Sequence, residues 1–241
     1  MGQGNLVQRV CSGARDFLKR RAKSVGIGLV SLASALSFSI GDAYAEGVPN
    51  FTEHIISTSQ NVATFVQIKD IDNDGDKDIL FTAAGLNKVA WLENDGNDKP
   101  SFTEHIISTS VIAAEEAYAT DIDRDGDIDV LSASNGGNTI SWHENNGAIP
   151  PLFTERNIST TYPYPTCVRT ADINGDGDID AIVSFSQSNV ILWSENNGGA
   201  NPSFTDHVIP CTYPGGDSIY AADVDGDGDV DLMAGFFWND V

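Results

Sequence analysis

The hydrophobic residues of this chain fall in short alternating runs, not in long runs with helical spacing. In one representative stretch the runs cover residues 102–107, 116–122, 128–133 and 139–143. Segments rich in Gly, Asn, Asp and Pro, which favour turns, separate them. The pattern predicts short β-strands in groups of four and no dominant helix.

The same group of runs recurs with a fixed period of 51 residues and no insertion. A Phe-Thr pair opens each unit, at Phe51, Phe102, Phe153 and Phe204. A Trp-x-Glu-Asn-x-Gly motif recurs in the first three units, at Trp91, Trp142 and Trp193. Four strands in a unit of this length are typical of a β-propeller blade. We therefore predict an all-β propeller fold with the tryptophans in the core between blades.

Residues 51–241 span about 3.7 repeat periods. The Phe51 strand, by its place in the repeat, closes a preceding blade. Two interpretations follow: a small four-bladed ring that lacks one strand, or the N-terminal part of a longer propeller. We favour the second, because the break falls inside a repeat and leaves exposed strand edges. We expect the isolated chain to be poorly behaved or oligomeric.

Charge excludes several classes of protein. The 241 residues include 35 acidic and 13 basic side chains, a net charge of −22. A chain this acidic is unsuited to nucleic acid or to an anionic membrane surface. With 41% hydrophobic residues it still has enough apolar surface for a folded core.

The basic residues are concentrated at the N-terminus. Residues 1–45 carry six basic and two acidic side chains, whereas residues 46–241 carry a net charge of −26. A basic segment, a short apolar segment and Ala43-Tyr44-Ala45 follow one another as in a secretory signal peptide. We predict a signal peptide over 1–45, propeller repeats over 46–241, and no membrane span after cleavage. An uncleaved anchor, a transit peptide and a weak twin-arginine interpretation of Arg20-Arg21 stay open.

Four nine-residue acidic loops recur with the same period. Their oxygen-bearing residues stand at positions 1, 3, 5, 7 and 9, and position 6 is always Gly. Loop 1 contains Asp70, Asp72, Asp74, Asp76 and Asp78; loop 2 contains Asp121, Asp123, Asp125, Asp127 and Asp129; loop 3 contains Asp172, Asn174, Asp176, Asp178 and Asp180; loop 4 contains Asp223, Asp225, Asp227, Asp229 and Asp231.

These loops predict four calcium sites. Closely spaced carboxylates repel one another unless a cation lies between them. All the candidate ligands are oxygens, which favours calcium over zinc or copper. An EF-hand would place Glu at position 12, but Phe81, Ser132, Val183 and Ala234 stand there, between predicted strands.

The loops and the apolar strand that follows each of them resemble the FG-GAP/VCBS-type repeat, best known from the propeller of integrin α-subunits. The resemblance covers residues 51–241. It implies that each loop joins the first two strands of a blade and binds one calcium through side chains at positions 1, 3, 5 and 9 and the carbonyl at position 7. The integrin-like Phe-Gly and Gly-Ala-Pro signatures are missing, so integrin-type ligand recognition does not carry over.

The remaining chemistry-bearing residues give no catalytic signature. His54, His105 and His207 share one repeat position and are expected on strand surfaces; His143 has no recognisable partner. Glu115-Glu116, unique to the second unit, marks either a ligand surface or a solvated loop. Cys167 and Cys211 permit a disulfide in an oxidising compartment, without requiring one.

The sequence therefore favours a secreted, periplasmic or cell-surface module for adhesion or recognition, without enzymatic activity, in which calcium is structural. Its expected partner is an unidentified extracellular protein or carbohydrate. The alternatives are the propeller part of a larger secreted hydrolase or lyase, and a structural surface-layer component.

Overall fold

The computed structural model describes residues 27–32, 35–42, 50–58, 60–213 and 215–236. Most of the predicted signal peptide, including its cleavage site, lies outside the described residues, so that prediction stays open. Within it, β1 (Ile27–Leu32) and β2 (Ala35–Asp42) form a sheet with β3 (Asn50–Ser57), in the order β1-β2-β3. This sheet and the blades fall largely in two different compact units and are described separately.

Three four-stranded antiparallel blades follow, as the repeat predicts. Blade 1 contains β4 (Ala63–Lys69), β5 (Asp78–Ala83), β6 (Lys88–Asn94) and β7 (Phe102–Ser108). Blade 2 contains β8 (Ala114–Thr120), β9 (Asp129–Ser134), β10 (Thr139–Asn145) and β11 (Phe153–Ser159). Blade 3 contains β12 (Pro165–Ala171), β13 (Asp180–Phe185), β14 (Val190–Asn196) and β15 (Phe204–Pro210). A 3₁₀ turn at Ala84–Leu86 follows β5.

The fourth blade has two described strands, β16 (Gly216–Ala222) and β17 (Asp231–Phe236). Each Phe-Thr strand at 102, 153 and 204 closes the blade before it, as predicted. The strand that contains Phe51, β3, pairs with β2. Its role in closing a blade stays a prediction.

The hydrophobic core lies between adjacent blades. Trp91 is fully buried and belongs to one apolar cluster with Leu80 of its own blade and Ala117 and Val130 of blade 2. Trp142 occupies the same position between blades 2 and 3. Trp193 is only half-buried, and the blade that follows it has two described strands. The predicted core role is confirmed for the first two tryptophans.

Side chains on the outermost strands also join neighbouring blades. Asp206 on β15 accepts hydrogen bonds from Ser159 Oγ (2.6 Å) and Thr161 Oγ1 (2.7 Å), which lie at the junction of blades 2 and 3. Glu155 accepts equivalent bonds from Ser108 and Ser110 one blade earlier. The acidic residue of the Phe-Thr-[Glu/Asp] motif therefore holds each blade to the one before it.

Candidate metal sites

Each acidic loop connects the first and second strands of its blade. Loop 1 joins β4 to β5, loop 2 joins β8 to β9, loop 3 joins β12 to β13, and loop 4 joins β16 to β17. Position 9 is the first residue of the second strand, so one end of every loop is held by the sheet. This placement agrees with what the resemblance implied.

The fold brings positions 1, 3 and 9 together. In loops 1, 2 and 4, one carboxylate oxygen from each of these positions lies within 4.8 Å of the others. The clusters are Asp70, Asp72 and Asp78; Asp121, Asp123 and Asp129; and Asp223, Asp225 and Asp231. In loop 3 the same positions hold Asp172, Asn174 and Asp180. These aspartate clusters can hold a metal ion and are compatible with calcium.

Hydrogen bonds inside the loop fix its curvature. In loop 1, Gly75 N donates to Asp70 Oδ2 (3.1 Å), and Asp76 N donates to Asp74 Oδ1 (2.8 Å). The backbone at Gly75 has φ +101°, a left-handed conformation that favours glycine at position 6. The carboxylates at positions 1 and 5 are therefore oriented by the backbone before any ion binds.

In loops 1, 2 and 3 the position 9 carboxylate is the buried anchor of the loop, whereas Asp231 of loop 4 is exposed. Asp78 is fully buried, and its two oxygens accept bonds from Ile71 N (2.8 Å) and Asn94 N (3.0 Å). Burial raises the pKa of Asp78 to about 6, although the two amides oppose the shift. Burial also raises the pKa of Asp129, to about 7, and the pKa of Asp180. Ionising these groups without a cation is therefore unfavourable.

Buried carboxylate oxygens without hydrogen-bond donors show whether a cation fits inside the loops. Asp70 Oδ1 and Asp121 Oδ1 are buried and have no hydrogen-bond partner. Burial, and then the charge of Asp74, raises the pKa of Asp72. A buried acceptor without a donor costs about 1–3 kcal/mol. A cation among positions 1, 3 and 9 would satisfy these oxygens and the excess charge together, so the residues fit a hard divalent ion.

Positions 5 and 7 lie outside the clusters of positions 1, 3 and 9. The position 7 side chains instead lie against the glycine that ends each Trp-x-Glu-Asn-x-Gly motif. A Cβ at Gly96, Gly147 or Gly198 would overlap the carboxylate of Asp76, Asp127 or Asp178. A ligand role for the side chains of positions 5 and 7 stays a prediction.

The asparagine of the same motif anchors the loop, a role that the sequence analysis missed. Besides its backbone bond to position 9, Asn94 donates from Nδ2 to Lys77 O (3.1 Å). Asn145 and Asn196 make the matching bonds to Ile128 O and Ile179 O. Because this asparagine stands at a fixed distance in sequence from each loop, its role could have been inferred from the repeat.

Adjacent loops touch through position 4. Asn73 Nδ2 of loop 1 donates to Gly126 O of loop 2 at 3.0 Å, and Arg124 of loop 2 lies 3.1 Å from Asp178 Oδ1 of loop 3. The cleft between loops 1 and 2 has a volume of about 190 Å³. This is smaller than a typical small-molecule pocket of about 300–1,000 Å³.

Two expectations from the sequence need correction. His143 does have a partner, since its Nε2 lies 2.9 Å from Ser132 Oγ, and Glu155 is its neighbour across β11. Both Ser132 and His143 are fully buried, which closes this Ser-His-Glu arrangement to a substrate. Glu116 is likewise not in a solvated loop: it is buried on β8 and pairs with Arg169 on β12.

The remaining singled-out residues are placed as follows. His105 and His207 are partly exposed on outer strands, as predicted, and stack on Trp91 and Trp193. The side chain of His54 lies outside the described residues. Cys167 and Cys211 are free thiols, and burial raises the pKa of Cys167 to about 12. No disulfide joins them.

The fold and the loops define a propeller-type repeat protein with one carboxylate loop per blade. The family model described as the FG-GAP-like repeat matches three overlapping segments, residues 70–132, 121–183 and 172–234. The chain therefore belongs to the FG-GAP-like repeat family, as the sequence suggested. These repeats form integrin-like modules, are typical of extracellular proteins and are generally non-enzymatic. A comparison with curated proteins finds no match.

Within the described part of the chain, no helix has the length and hydropathy that a membrane crossing needs.

Proposed function

We propose that this protein is a secreted or cell-surface calcium-binding propeller module for adhesion or recognition, without enzymatic activity, in which calcium has a structural role. The observation that carries the calcium assignment is the buried, unpartnered oxygens of Asp70 and Asp121 inside converging carboxylates. Asp70, Asp72, Asp74 and Asp78 would hold the ion of loop 1 by side chains, and Asp76 by its carbonyl. The equivalent positions would hold three more ions.

The structural role follows from where the ions would bind. Each loop fixes the start of the second strand of its blade, which is buried in blades 1 to 3, so a cation that neutralises the loop stabilises the sheet. Extracellular modules bind calcium with Kd of about 10⁻⁴–10⁻³ M. At a calcium concentration one hundred times Kd, each site adds about 2.7 kcal/mol to the free energy of unfolding.

Thermal unfolding with and without calcium tests the calcium assignment. We expect the melting temperature of the full chain to fall strongly when EGTA replaces 5–10 mM calcium, a working range taken as about tenfold above the weak Kd. Magnesium at the same concentration is the control, since it prefers a smaller octahedral site. A melting curve that ignores the chelator would contradict the proposal.

The recognition role needs its own experiment. Exposed strand faces and the absence of a large cleft between loops 1 and 2 favour an extended surface for a protein or carbohydrate over an enclosed pocket. Glycan-array binding by the labelled full chain, measured in calcium and in EGTA, tests the carbohydrate possibility. Calcium-dependent binding to a defined glycan class supports it, and binding to none of the glycans removes carbohydrate as the partner.

A further inference from the structure

A glutamate on the third strand of each complete blade lies beside the position 9 aspartate of the acidic loop. In blade 1, β5 and β6 pair Ile79 with Leu92, so the next step of the antiparallel ladder puts Glu93 opposite Asp78. Directly opposed residues share one face of a sheet and lie about 5 Å apart. The same step puts Glu144 beside Asp129 and Glu195 beside Asp180.

Loop 3 shows this approach as a direct contact. Asn174, at position 3, donates from Nδ2 to Glu195 Oε1 at 3.1 Å. The glutamate therefore reaches a residue that belongs to the predicted ligand set. In loops 1 and 2, position 3 is an aspartate, and Glu93 and Glu144 occupy the same place in the strand register beside the loop.

A basic side chain on the fourth strand orients the glutamate in each blade. Glu93 Oε2 lies 2.6 Å from His105 Nε2, and Glu195 Oε2 lies 2.6 Å from His207 Nε2. In blade 2 this side chain is an arginine, and Arg156 Nε donates to Glu144 Oε2 at 2.7 Å. Each of the three side chains lies against the tryptophan ring of its blade. The contact with the basic side chain fixes one carboxylate oxygen of the glutamate, and the carboxylate stays directed along the loop.

An ordinary surface ion pair does not explain the arrangement. The fourth-strand partner changes from His to Arg between blades, whereas the glutamate is the same in all three. A further carboxylate beside clustered aspartates adds repulsion, which is unfavourable unless a multivalent cation binds there. The five ligands predicted from each loop also fall short of the six to eight that calcium takes.

We propose that Glu93, Glu144 and Glu195 each supply a carboxylate oxygen to the calcium ion of loops 1, 2 and 3, with His105, Arg156 and His207 as positioning residues. The inference rests on the proposed calcium function. The glutamate that an EF-hand takes from position 12 of its own loop is here provided by another strand of the blade.

Isothermal titration of calcium into the metal-stripped full chain tests the ligand role. Glu93→Gln keeps the shape and a hydrogen-bond acceptor but removes the charge, and it should weaken one site about tenfold, within the range for a group that orients or completes a metal site. Glu104→Gln is the matched control. Glu104 lies in the same blade and accepts from Lys88 and Gln60, away from the loop.

Unfolding in two buffers separates a ligand from a mere ion-pair partner. Without calcium, Glu93→Gln should leave the urea midpoint unchanged or raise it, because repulsion with loop 1 is relieved. In saturating calcium it should lower the midpoint. If Glu93→Gln lowers the urea midpoint equally in both buffers, or binds calcium as tightly as Glu104→Gln does, the ligand role of Glu93 is wrong. The proposed calcium function would not be affected by that result. A wild-type chain that binds no calcium would overturn the proposed function together with the ligand role.

Discussion

Single residues of the Trp-x-Glu-Asn-x-Gly motif each have a separate role beside the loop. The tryptophan packs between blades, Asn94 bonds to both the carboxylate of Asp78 and the carbonyl of Lys77, and Gly96 allows Asp76 to approach its backbone. Three different effects, hydrophobic burial, amide hydrogen bonds and the absence of a Cβ, therefore support the loop from three positions of one motif. The motif is a scaffold for the loop as much as a strand end.

Neighbouring glycines in blade 3 test the close approach. Gly198 and Gly199 both have positive φ, +74° and +87°, but only a Cβ at Gly198 would meet Asp178. We expect Gly198→Ala to lower the free energy of unfolding by about 1–2 kcal/mol more than Gly199→Ala, which carries the backbone strain alone. Urea denaturation in calcium measures both variants. Equal losses would contradict a packing role for Gly198.

The buried position 9 aspartates Asp78, Asp129 and Asp180 predict an unusual dependence of stability on pH. Their folded pKa is raised, to about 6 for Asp78 and about 7 for Asp129, above about 3.9 in the unfolded chain. Between pH 4 and 7 the folded state then binds more protons than the unfolded state, so stability falls as pH rises. Buried His143, with a pKa lowered to about 4, opposes this as a single group.

The measurement compares metal-stripped protein in calcium-free buffer at pH 5 and pH 8. We expect the lower urea midpoint at pH 8, and calcium should reverse the order because the ion binds the ionised carboxylates. Dialysis is preferable to EGTA, which itself loses calcium affinity in acid. Stability that rises with pH in the stripped protein would argue against buried position 9 carboxyls.

At the scale of elements, the backbone amides on the free edge of each inner strand bond to side chains of the neighbouring blade. β4, β8 and β12 each send one side chain to a backbone amide of the next inner strand. Gln67 accepts from Ala119 N (2.7 Å), Glu116 from Val168 N (3.0 Å) and Cys167 Sγ from Ile219 N (3.4 Å). Side chains thus replace the missing neighbour strand.

The Glu116–Arg169 pair between β8 and β12 gives the element-scale prediction. Arg169 also lies over the rings of Phe65 and Tyr118. Arg169→Met should reduce the free energy of unfolding by about 3 kcal/mol, since it leaves a buried carboxylate unpaired. Adding Glu116→Gln, which keeps an acceptor for Val168 N, should recover much of that loss. A double variant no more stable than the single one would contradict this account.

The strands and loops were predictable because each repeats a local rule. Alternating apolar residues fixed the strands within one or two residues, and the Asp and Gly spacing located the loops. The pairing of Glu116 with Arg169 was not predictable, because it joins residues from different repeat units and breaks the pattern of both. The contact between His143 and Ser132, which lie in one repeat unit, was missed for a different reason: it depends on strand register, which short motifs do not reveal.

At the scale of the molecule, the second strand of each blade shows how much each blade depends on its neighbour. β5, β9 and β13 are buried along their whole length. In β17 exposed and half-buried residues alternate, and Met233 and Tyr220 of the fourth blade are 46% and 61% exposed. β17 is paired on one side only among the described strands.

An exposed sheet edge with apolar residues favours association between copies. We expect the full chain to self-associate as its concentration increases, and Met233→Lys to shift the equilibrium toward monomer because it puts a charge on this face. Leu86→Lys, an exposed apolar site away from β17, should not. Sedimentation velocity over a concentration series measures the effect. A wild-type monomer at every concentration would contradict the prediction.

The offset between the sequence repeat and the blade has an evolutionary consequence. Because each Phe-Thr strand completes the blade before it, a duplicated 51-residue segment brings both a new blade and the strand that closes its predecessor. Unequal recombination anywhere within the repeat would therefore lengthen or shorten the array by whole blades. Homologous genes should differ in blade number while the period within each array stays constant.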